Sequence, residues 1–134
     1  MTYIDTYNNK AIVFVDREQS VLAIIHRLLR DLTSGYDLIP ATSEATALSL
    51  LDKHTVSLMI IDAHPSVDTI SLIHSVKARD PNCQILVLSY ADLPPNQNLE
   101  LAGADFYLSM PFPFSHFGQV VQTALNRNMH MSYA

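Results

Sequence analysis

Three polar residues, Asp16, Asp62 and Ser89, each follow directly on a short run of apolar residues, and they are the best candidates for chemistry in this sequence. If those runs are parallel strands, their carboxyl ends meet at one edge of a sheet, where α/β proteins bind their ligands. Two carboxylates facing one cleft repel each other, so such a site usually holds a cation. The alternative is that each aspartate only caps the helix or turn that follows it.

Two further residues next to these aspartates bear on the charge of the site. Arg17 could neutralise both carboxylates without a metal, because a guanidinium pairs with carboxylates through two donors, or it could be a solvated loop arginine. His64 with Asp16 and Asp62 would make a two-carboxylate, one-histidine metal site, although a loop histidine is the simpler interpretation. Ser89 lies in no G-x-S-x-G motif, which argues against a hydrolase nucleophile.

The elements that must position these residues alternate along the chain. Runs rich in β-branched and aromatic residues predict strands at residues 11–15, 36–41, 56–61, 85–88 and 105–109. Apolar spacings of three and four, together with proline positions, predict helices within residues 21–32, 47–51, 70–76, 95–102 and 114–125. This alternation predicts an α/β fold, namely a flavodoxin-like, doubly wound, five-stranded parallel sheet of order 2-1-3-4-5 with five helices.

Composition narrows the class of protein. The chain has 134 residues, 49% of them hydrophobic, which suits one folded domain. We expect an N-terminal arm at residues 1–9, the domain at residues 10–128 and a C-terminal tail at residues 129–134. The formal net charge of −5 and the lack of a basic run argue against nucleic acid as a direct partner. No apolar run reaches membrane-spanning length, and the single cysteine, Cys83, favours a reducing, cytoplasmic location.

Four segments of the chain resemble a known family. The receiver domain of bacterial two-component response regulators has four landmark segments, and similar strings stand here at residues 12–18, 60–62, 86–89 and 103–112. The string G-A-D-F-Y-L-S-M-P-F at residues 103–112 is the strongest single match. The resemblance covers nearly the whole chain.

This resemblance implies roles for individual residues. Asp62 takes the position that accepts a phosphoryl group from a histidine kinase. Asp16 matches the first of two acids that hold Mg²⁺, and the backbone of His64 would be a further metal ligand. Ser89 matches the hydroxyl that contacts the phosphoryl group, and Tyr107 matches the aromatic switch residue.

Two departures from the family pattern affect this chemistry. Arg17 stands where the second acid is expected, and Met110 stands where a lysine pairs with the phosphate. Losing one electrostatic partner of a moving phosphoryl group commonly costs on the order of 2–4 kcal/mol. We therefore expect weak or absent Mg²⁺ binding and impaired phosphorylation, with Arg17 paired to Asp62 or Asp16 in place of the metal. The family also implies a cis bond between Met110 and Pro111.

The sequence thus favours an atypical receiver, without cofactor or enzymatic activity, that acts mainly through protein–protein interaction. We expect its partner surface to include Leu99, Tyr107 and Phe117, with Phe114 in the core. A histidine kinase and a second copy of the chain are candidate partners. The main alternative is a working receiver that uses Mg²⁺ and is phosphorylated on Asp62, as the N-terminal domain of a longer regulator. A small enzyme is disfavoured because no base, nucleophile or cofactor loop is evident.

Overall fold

A five-stranded parallel sheet forms the centre of the molecule. The computed structural model describes residues 10–63, 68–90 and 103–133. The strands are β1 (Lys10–Val15), β2 (Tyr36–Ala41), β3 (Val56–Asp62), β4 (Gln84–Tyr90) and β5 (Phe106–Met110). They pair in the order β2-β1-β3-β4-β5, and every pairing is parallel. The predicted fold class and strand order are confirmed.

Helices cover both faces of this sheet. Among the described residues they are α1 (Gln19–Leu32), α2 (Glu44–Lys53), α3 (Thr69–Arg79) and α4 (Phe114–Tyr133). The helix predicted at residues 95–102 lies outside the described residues. α4 continues past the expected domain end at residue 128, because no glycine or proline interrupts the chain between Gln119 and Tyr133.

The sheet divides the core into two layers, because successive side chains of a strand point to opposite faces. Val13 and Met59 pack with α2 and α3 on one face. Phe14 and Ile60 pack with α1 and α4 on the other. The central strands are buried on both sides, which explains why their sequences are continuous apolar runs rather than alternating ones. Pro40 lies in β2, an edge strand, where a missing backbone N–H is tolerated.

Local signals mark where the helices begin and end. Ser43 caps α2, since its Oγ accepts a hydrogen bond from the Thr46 N–H at 3.1 Å. Asp68 caps α3 by accepting from the Ser71 N–H at 3.0 Å. Gly35 follows α1 with φ of +82°, a left-handed conformation that favours glycine. Ser43 and Asp68 therefore mark where two loops at the carboxyl edge of the sheet end and the helices begin.

Two aromatic residues of α4 lie where the sequence did not place them. Phe117 was expected on the partner surface, but it is 1% exposed and stacks on Phe112 with ring centroids 5.7 Å apart. It shares its helix face with Val121 and Leu125, which pack on the sheet. Phe114 was expected in the core, but it is 49% exposed, since it is the first residue of the helix and precedes the part that meets the sheet.

One ion pair ties α3 to the start of the last two strands. The Lys77 Nζ donates to Asp105 Oδ2 at 2.8 Å and to the Cys83 carbonyl at 2.7 Å. The same Asp105 oxygen accepts from the Ile85 N–H at 2.9 Å. This cluster lies at the amino ends of β4 and β5, so Lys77 is held at the opposite edge of the sheet from Asp62.

We expect Asp105→Ala to lower the free energy of unfolding by about 1–2 kcal/mol, because it leaves a partly buried ammonium and a backbone N–H without their shared acceptor. Urea denaturation followed by circular dichroism measures the change. Asp105→Asn is the matched control, since it keeps an acceptor for the Ile85 N–H and should lose less. Equal losses in the two variants would contradict a role for the charge.

Candidate functional site at the carboxyl edge of the sheet

The structure brings together the three polar residues that the sequence singles out. Asp16 directly follows β1, Asp62 is the last residue of β3, and Ser89 lies near the end of β4. All three are 2% exposed. Strands β3 and β4 are in register up to Asp62, which pairs with Leu88, and the Ala63 N–H donates to the Leu88 carbonyl at 2.8 Å. Three buried polar side chains therefore end three adjacent strands.

Asp16 has both a structural role and a place in the site. Its backbone N–H donates to the Ala41 carbonyl at 3.1 Å, which extends the pairing of β1 with β2. Its Oδ1 accepts from the Glu18 N–H at 2.9 Å and so closes the turn that leads into α1. Its Oδ2 is buried and has no hydrogen-bond donor among the described residues. The turn-capping alternative thus accounts for one oxygen of Asp16 and leaves the other facing the site.

Asp62 is the most strongly perturbed acid of the site. Its Oδ1 is also buried without a donor among the described residues. Burial, followed by the hydrogen bond and charge of the neighbouring Asp16 and by the charge of Glu18, raises the pKa of Asp62 from 3.8 to about 8. A proton held by Asp62 supplies the donor that the two orphaned oxygens lack. The raised pKa therefore favours the protonated form of Asp62 at neutral pH, in which its carboxyl group can donate to Asp16.

Arg17 does not neutralise Asp16 or Asp62. Its side chain is exposed and lines a recess of about 210 Å³ with Val15, Thr42, Ser43 and Glu44, on the side of α2. No ion pair or hydrogen bond joins it to either aspartate in the described part of the chain. The expectation that Arg17 substitutes for the metal through an ion pair is wrong in this structure, because the turn into α1 directs this residue away from the strand ends.

Residue 110, where the resemblance implied a lysine, also carries no charge. Met110 ends β5, is half-buried and packs against the core layer on the α1 and α4 side. In the described ranges, residues 10–63, 68–90 and 103–133, the ion pairs are Lys77–Asp105 and Arg79–Asp52, and neither involves Asp62. The Met110–Pro111 bond is cis, as expected. Tyr107 is half-buried against the other core layer.

The residues at this edge do not fit an ordinary Mg²⁺ site. The buried Oδ2 of Asp16 and Oδ1 of Asp62 are oxygen donors of the kind that Mg²⁺ prefers. However, no group of three acidic, histidine or cysteine ligands exists among the described residues, and Arg17, where the resemblance implied a further acid, is cationic. His64 and Leu99, which the sequence singled out, lie outside the described residues.

Sequence reasoning assigned no role to two acids near the site. Glu18 raises the pKa of Asp62, and its position directly after Arg17 in a loop after a strand was the available signal. Glu44 accepts a hydrogen bond from the Asp68 N–H at 2.9 Å and so connects the start of α2 to the start of α3. No pattern in the sequence points to that contact, which spans 24 residues.

We compared the chain with models of protein families and with curated proteins. The family model described as the response regulator receiver domain matches residues 12–122. No curated protein matches the chain in sequence.

Several solved structures share the fold. A response regulator receiver domain protein from Clostridium thermocellum is 21% identical, with a TM-score of 0.79 over 91% of this chain and 98% of the other. The signal receiver domain of an HD domain-containing protein from Pseudomonas fluorescens Pf-5 is 24% identical, with a TM-score of 0.78 over 93% of both chains. The receiver domain of a sensor histidine kinase from Pseudomonas aeruginosa PAO1, which has a magnesium ion coordinated in its active-site cleft, is 21% identical, with a TM-score of 0.73 over 87% of this chain and 97% of the other.

Proposed function

We propose, from the premise that this chain belongs to the response regulator receiver domain family, that it is a receiver whose phosphoacceptor, Asp62, is kept largely protonated and takes up phosphate poorly. Receiver domains work in two-component signalling, interact with histidine kinases and other proteins, and are generally signalling modules rather than enzymes. The finer statement, that this one signals mainly through protein contacts, is the proposal. Among the described residues no helix has the length and hydropathy of a membrane span.

The observation that carries the proposal is the buried pair of Asp16 and Asp62, with which no arginine or lysine of the described residues forms an ion pair. Asp62 must attack phosphorus through an ionised oxygen, because a protonated carboxyl group is a weak nucleophile. With a pKa of about 8, about one molecule in ten has an ionised Asp62 at pH 7. The protonated form of Asp62 also explains how two buried carboxyl groups lie side by side when no arginine or lysine of the described residues pairs with either.

A second effect concerns the negative charge on the phosphoryl group that is transferred to Asp62. Phosphoryl transfer depends on cations that neutralise the oxygens of the moving group. Here Arg17 is turned toward α2 and Met110 carries no charge, so no described side chain supplies that neutralisation. Both effects act on the same step, and together they support impaired phosphorylation of Asp62.

The mode of action then rests on a surface rather than on a chemical switch. We propose a cytoplasmic module, spanning residues 10–128, that holds one conformation and binds a protein partner. Of the expected partner residues, Tyr107 is half-buried and remains a candidate contact, whereas Phe117 is core. Phe114, exposed at the start of α4, is the better apolar contact on that side of the molecule.

A second function is favoured by one observation. Asp16, Asp62 and Ser89 lie together at the carboxyl edge, and one oxygen of each aspartate has no hydrogen-bond donor among the described residues. A divalent cation at high concentration could compete with the proton on Asp62 and convert the pair to its ionised form. In that case the chain is a working receiver with weakened metal affinity.

Beryllofluoride, a mimic of the phosphoryl group, separates the two functions. We expect amide resonances of Asp62, Ala63 and Ser89 in ¹H–¹⁵N spectra to stay unshifted when beryllofluoride is added with millimolar Mg²⁺ at pH 7. Asp62→Asn is the control for non-specific effects of the salts. Saturable shifts at these residues in the native protein, absent from Asp62→Asn, would establish the working receiver instead.

A further inference from the structure

An apolar recess lies between helix α1, the end of β2 and the start of α2. It has a volume of about 360 Å³, at the small end of the roughly 300–1,000 Å³ that is typical of small-molecule sites. Its apolar lining consists of Phe14, Leu22, Ala23 and Pro40. Ala23 and Pro40 are exposed, so the recess opens to solvent between the helix and the edge strand. We call this space the α1–β2 recess.

Two rings lie next to each other in the lining of the α1–β2 recess. Phe14 is fully buried in β1, a strand that is paired on both sides, so this part of the lining is held firmly. The half-buried ring of His26 is tilted by 50° against it, with 6.1 Å between the centroids. Because aromatic rings attract further rings in tilted or offset arrangements, this lining favours an aromatic occupant over an aliphatic one.

Polar side chains complete the lining of the recess. Thr46 accepts a hydrogen bond from the Ser43 hydroxyl at 2.9 Å. Within residues 10–63, 68–90 and 103–133, the side chains of Gln19, His26 and Thr42 make no hydrogen bond and are available to a ligand. The imidazole and the amide can each both donate and accept. A few polar groups around an apolar surface are typical of a small-molecule site.

The charge of the lining restricts the class of ligand. None of the described residues that line the α1–β2 recess is an aspartate, glutamate, lysine or arginine. An ion placed there would lose part of its hydration without gaining a partner of opposite charge. The lining therefore disfavours phosphates and nucleotides and favours an uncharged ligand.

The edge strand beside the recess is a poor template for an added peptide strand. Pro40 lies in β2 and has no backbone N–H that a further strand would need. Asp37 places a charged residue in the same strand, which also discourages strand addition. A small molecule needs no backbone pairing, so it suits this part of the surface better than an extended peptide.

We propose that the α1–β2 recess binds a small, uncharged aromatic molecule whose hydroxyl or carbonyl group hydrogen-bonds to the ring of His26. The ring of the ligand packs on the apolar lining, and its polar group faces the polar side chains. Because the recess is open on one side, part of the ligand stays in water, and we expect a dissociation constant in the high micromolar range. The proposal does not depend on whether Asp62 is phosphorylated.

The recess borders the turn that holds Asp16. Gln19 follows Glu18, whose N–H donates to Asp16 Oδ1 at 2.9 Å. Thr42 follows Ala41, whose carbonyl accepts from the Asp16 N–H at 3.1 Å. A ligand that contacts Gln19 and Thr42 should therefore shift the amide resonance of Glu18 together with those of the lining residues.

Titration of the full chain with naphthol, an uncharged two-ring phenol, tests the ligand class. In ¹H–¹⁵N spectra at neutral pH we expect saturable shifts of Glu18, Ala23, His26 and Thr42. Naphthalene sulfonate has the same rings and a negative charge, and it should not saturate these shifts. Naphthol shifts that do not saturate, or equal binding of the two probes, would overturn the proposal and leave the recess to a side chain of a protein partner.

Filling the recess tests its position. Ala23→Phe places a ring in the recess from its exposed side and should weaken naphthol binding by about tenfold or more, because the two rings compete for one space. Ala78→Phe adds the same ring to an exposed position of α3 and should leave the dissociation constant unchanged. Both alanines are exposed, so both variants should fold, which circular dichroism verifies. Native affinity in Ala23→Phe would overturn the proposal.

Removing the ring nitrogens of His26 tests the hydrogen bond. His26→Phe keeps an aromatic ring in the lining and should weaken naphthol binding by about fivefold, the loss expected for one hydrogen bond. His116→Phe makes the same change at an exposed position of α4 and should have no effect. Equal affinities of His26→Phe and the native chain would show that the imidazole does not contact the ligand, which contradicts the proposed binding mode.

Discussion

Replacing Arg17 with aspartate and Met110 with lysine in the same chain should raise the rate of Mg²⁺-dependent phosphorylation of Asp62 by about 100-fold or more. The first change adds the carboxylate that the metal site lacks. The second supplies a cation near the transferred group. A bound divalent cation also favours the ionised form of Asp62, so the same change lowers its pKa and makes it a better nucleophile.

The rate is measured with acetyl phosphate as donor, with and without Mg²⁺. Arg17→Gln and Met110→Leu are matched controls, because each changes the side chain at one of these positions without adding a ligand or a cation. We expect both controls to remain as slow as the native chain. A double variant that is no faster than the native chain would contradict the account, since the defect would then lie elsewhere than in these two positions.

Asp62→Asn should increase the free energy of unfolding by about 2 kcal/mol at pH 8 and remove much of the pH dependence of stability. The pKa of Asp62 rises from 3.8 in the unfolded chain to about 8 in the fold. Between these values the folded state keeps a proton that the unfolded state has released, so stability falls as the pH rises. Above about pH 8 both states have lost the proton and this contribution stays constant.

The amide side chain of Asn avoids that loss because it carries no charge and can donate to the buried oxygen of Asp16. Urea denaturation between pH 5 and pH 9, monitored by circular dichroism, gives the comparison. Asp52→Asn is the control for loss of a surface carboxylate, since Asp52 is exposed and pairs only with Arg79 among the described residues. An Asp62→Asn curve parallel to that of the native chain would show that the pKa of Asp62 is not raised in the fold.

The fold was largely predictable because the determinants of the sheet are local. The central strands are buried on both faces, so β1, β3 and β4 stand out as continuous apolar runs, and the helical stripes between them enforce parallel crossovers. The convergence of Asp16, Asp62 and Ser89 followed from that topology alone. Their backbone positions at strand ends required no knowledge of side-chain directions.

The direction of exposed side chains could not be predicted in the same way. The turn closed by Asp16 and the Glu18 N–H decides where Arg17 points, and nothing in the sequence indicates its outcome. Phe114 and Phe117 both fit the apolar stripe of α4, yet only Phe117 reaches the sheet. Periodicity predicts which side of a helix a residue lies on. It does not predict which part of the helix packs against the sheet.

The structure changes the physical reason that we propose for weak phosphorylation of Asp62. The sequence suggested that an arginine takes the place of the metal through an ion pair. Instead, Arg17 is exposed, and two buried acids are compatible because one of them keeps its proton. This explanation predicts a pH dependence that a permanent ion pair would not show, because raising the pH above about 8 ionises Asp62 and removes the proton that it donates to Asp16.

The most direct test of the central claim is the phosphoryl occupancy of Asp62 in the native chain. Intact-mass measurement after incubation with acetyl phosphate and millimolar Mg²⁺ at pH 7 gives it, with Asp62→Asn as the blank. The account predicts that only a small minority of molecules gains the mass of a phosphoryl group. Nearly stoichiometric labelling that disappears in Asp62→Asn would contradict it and establish a working receiver.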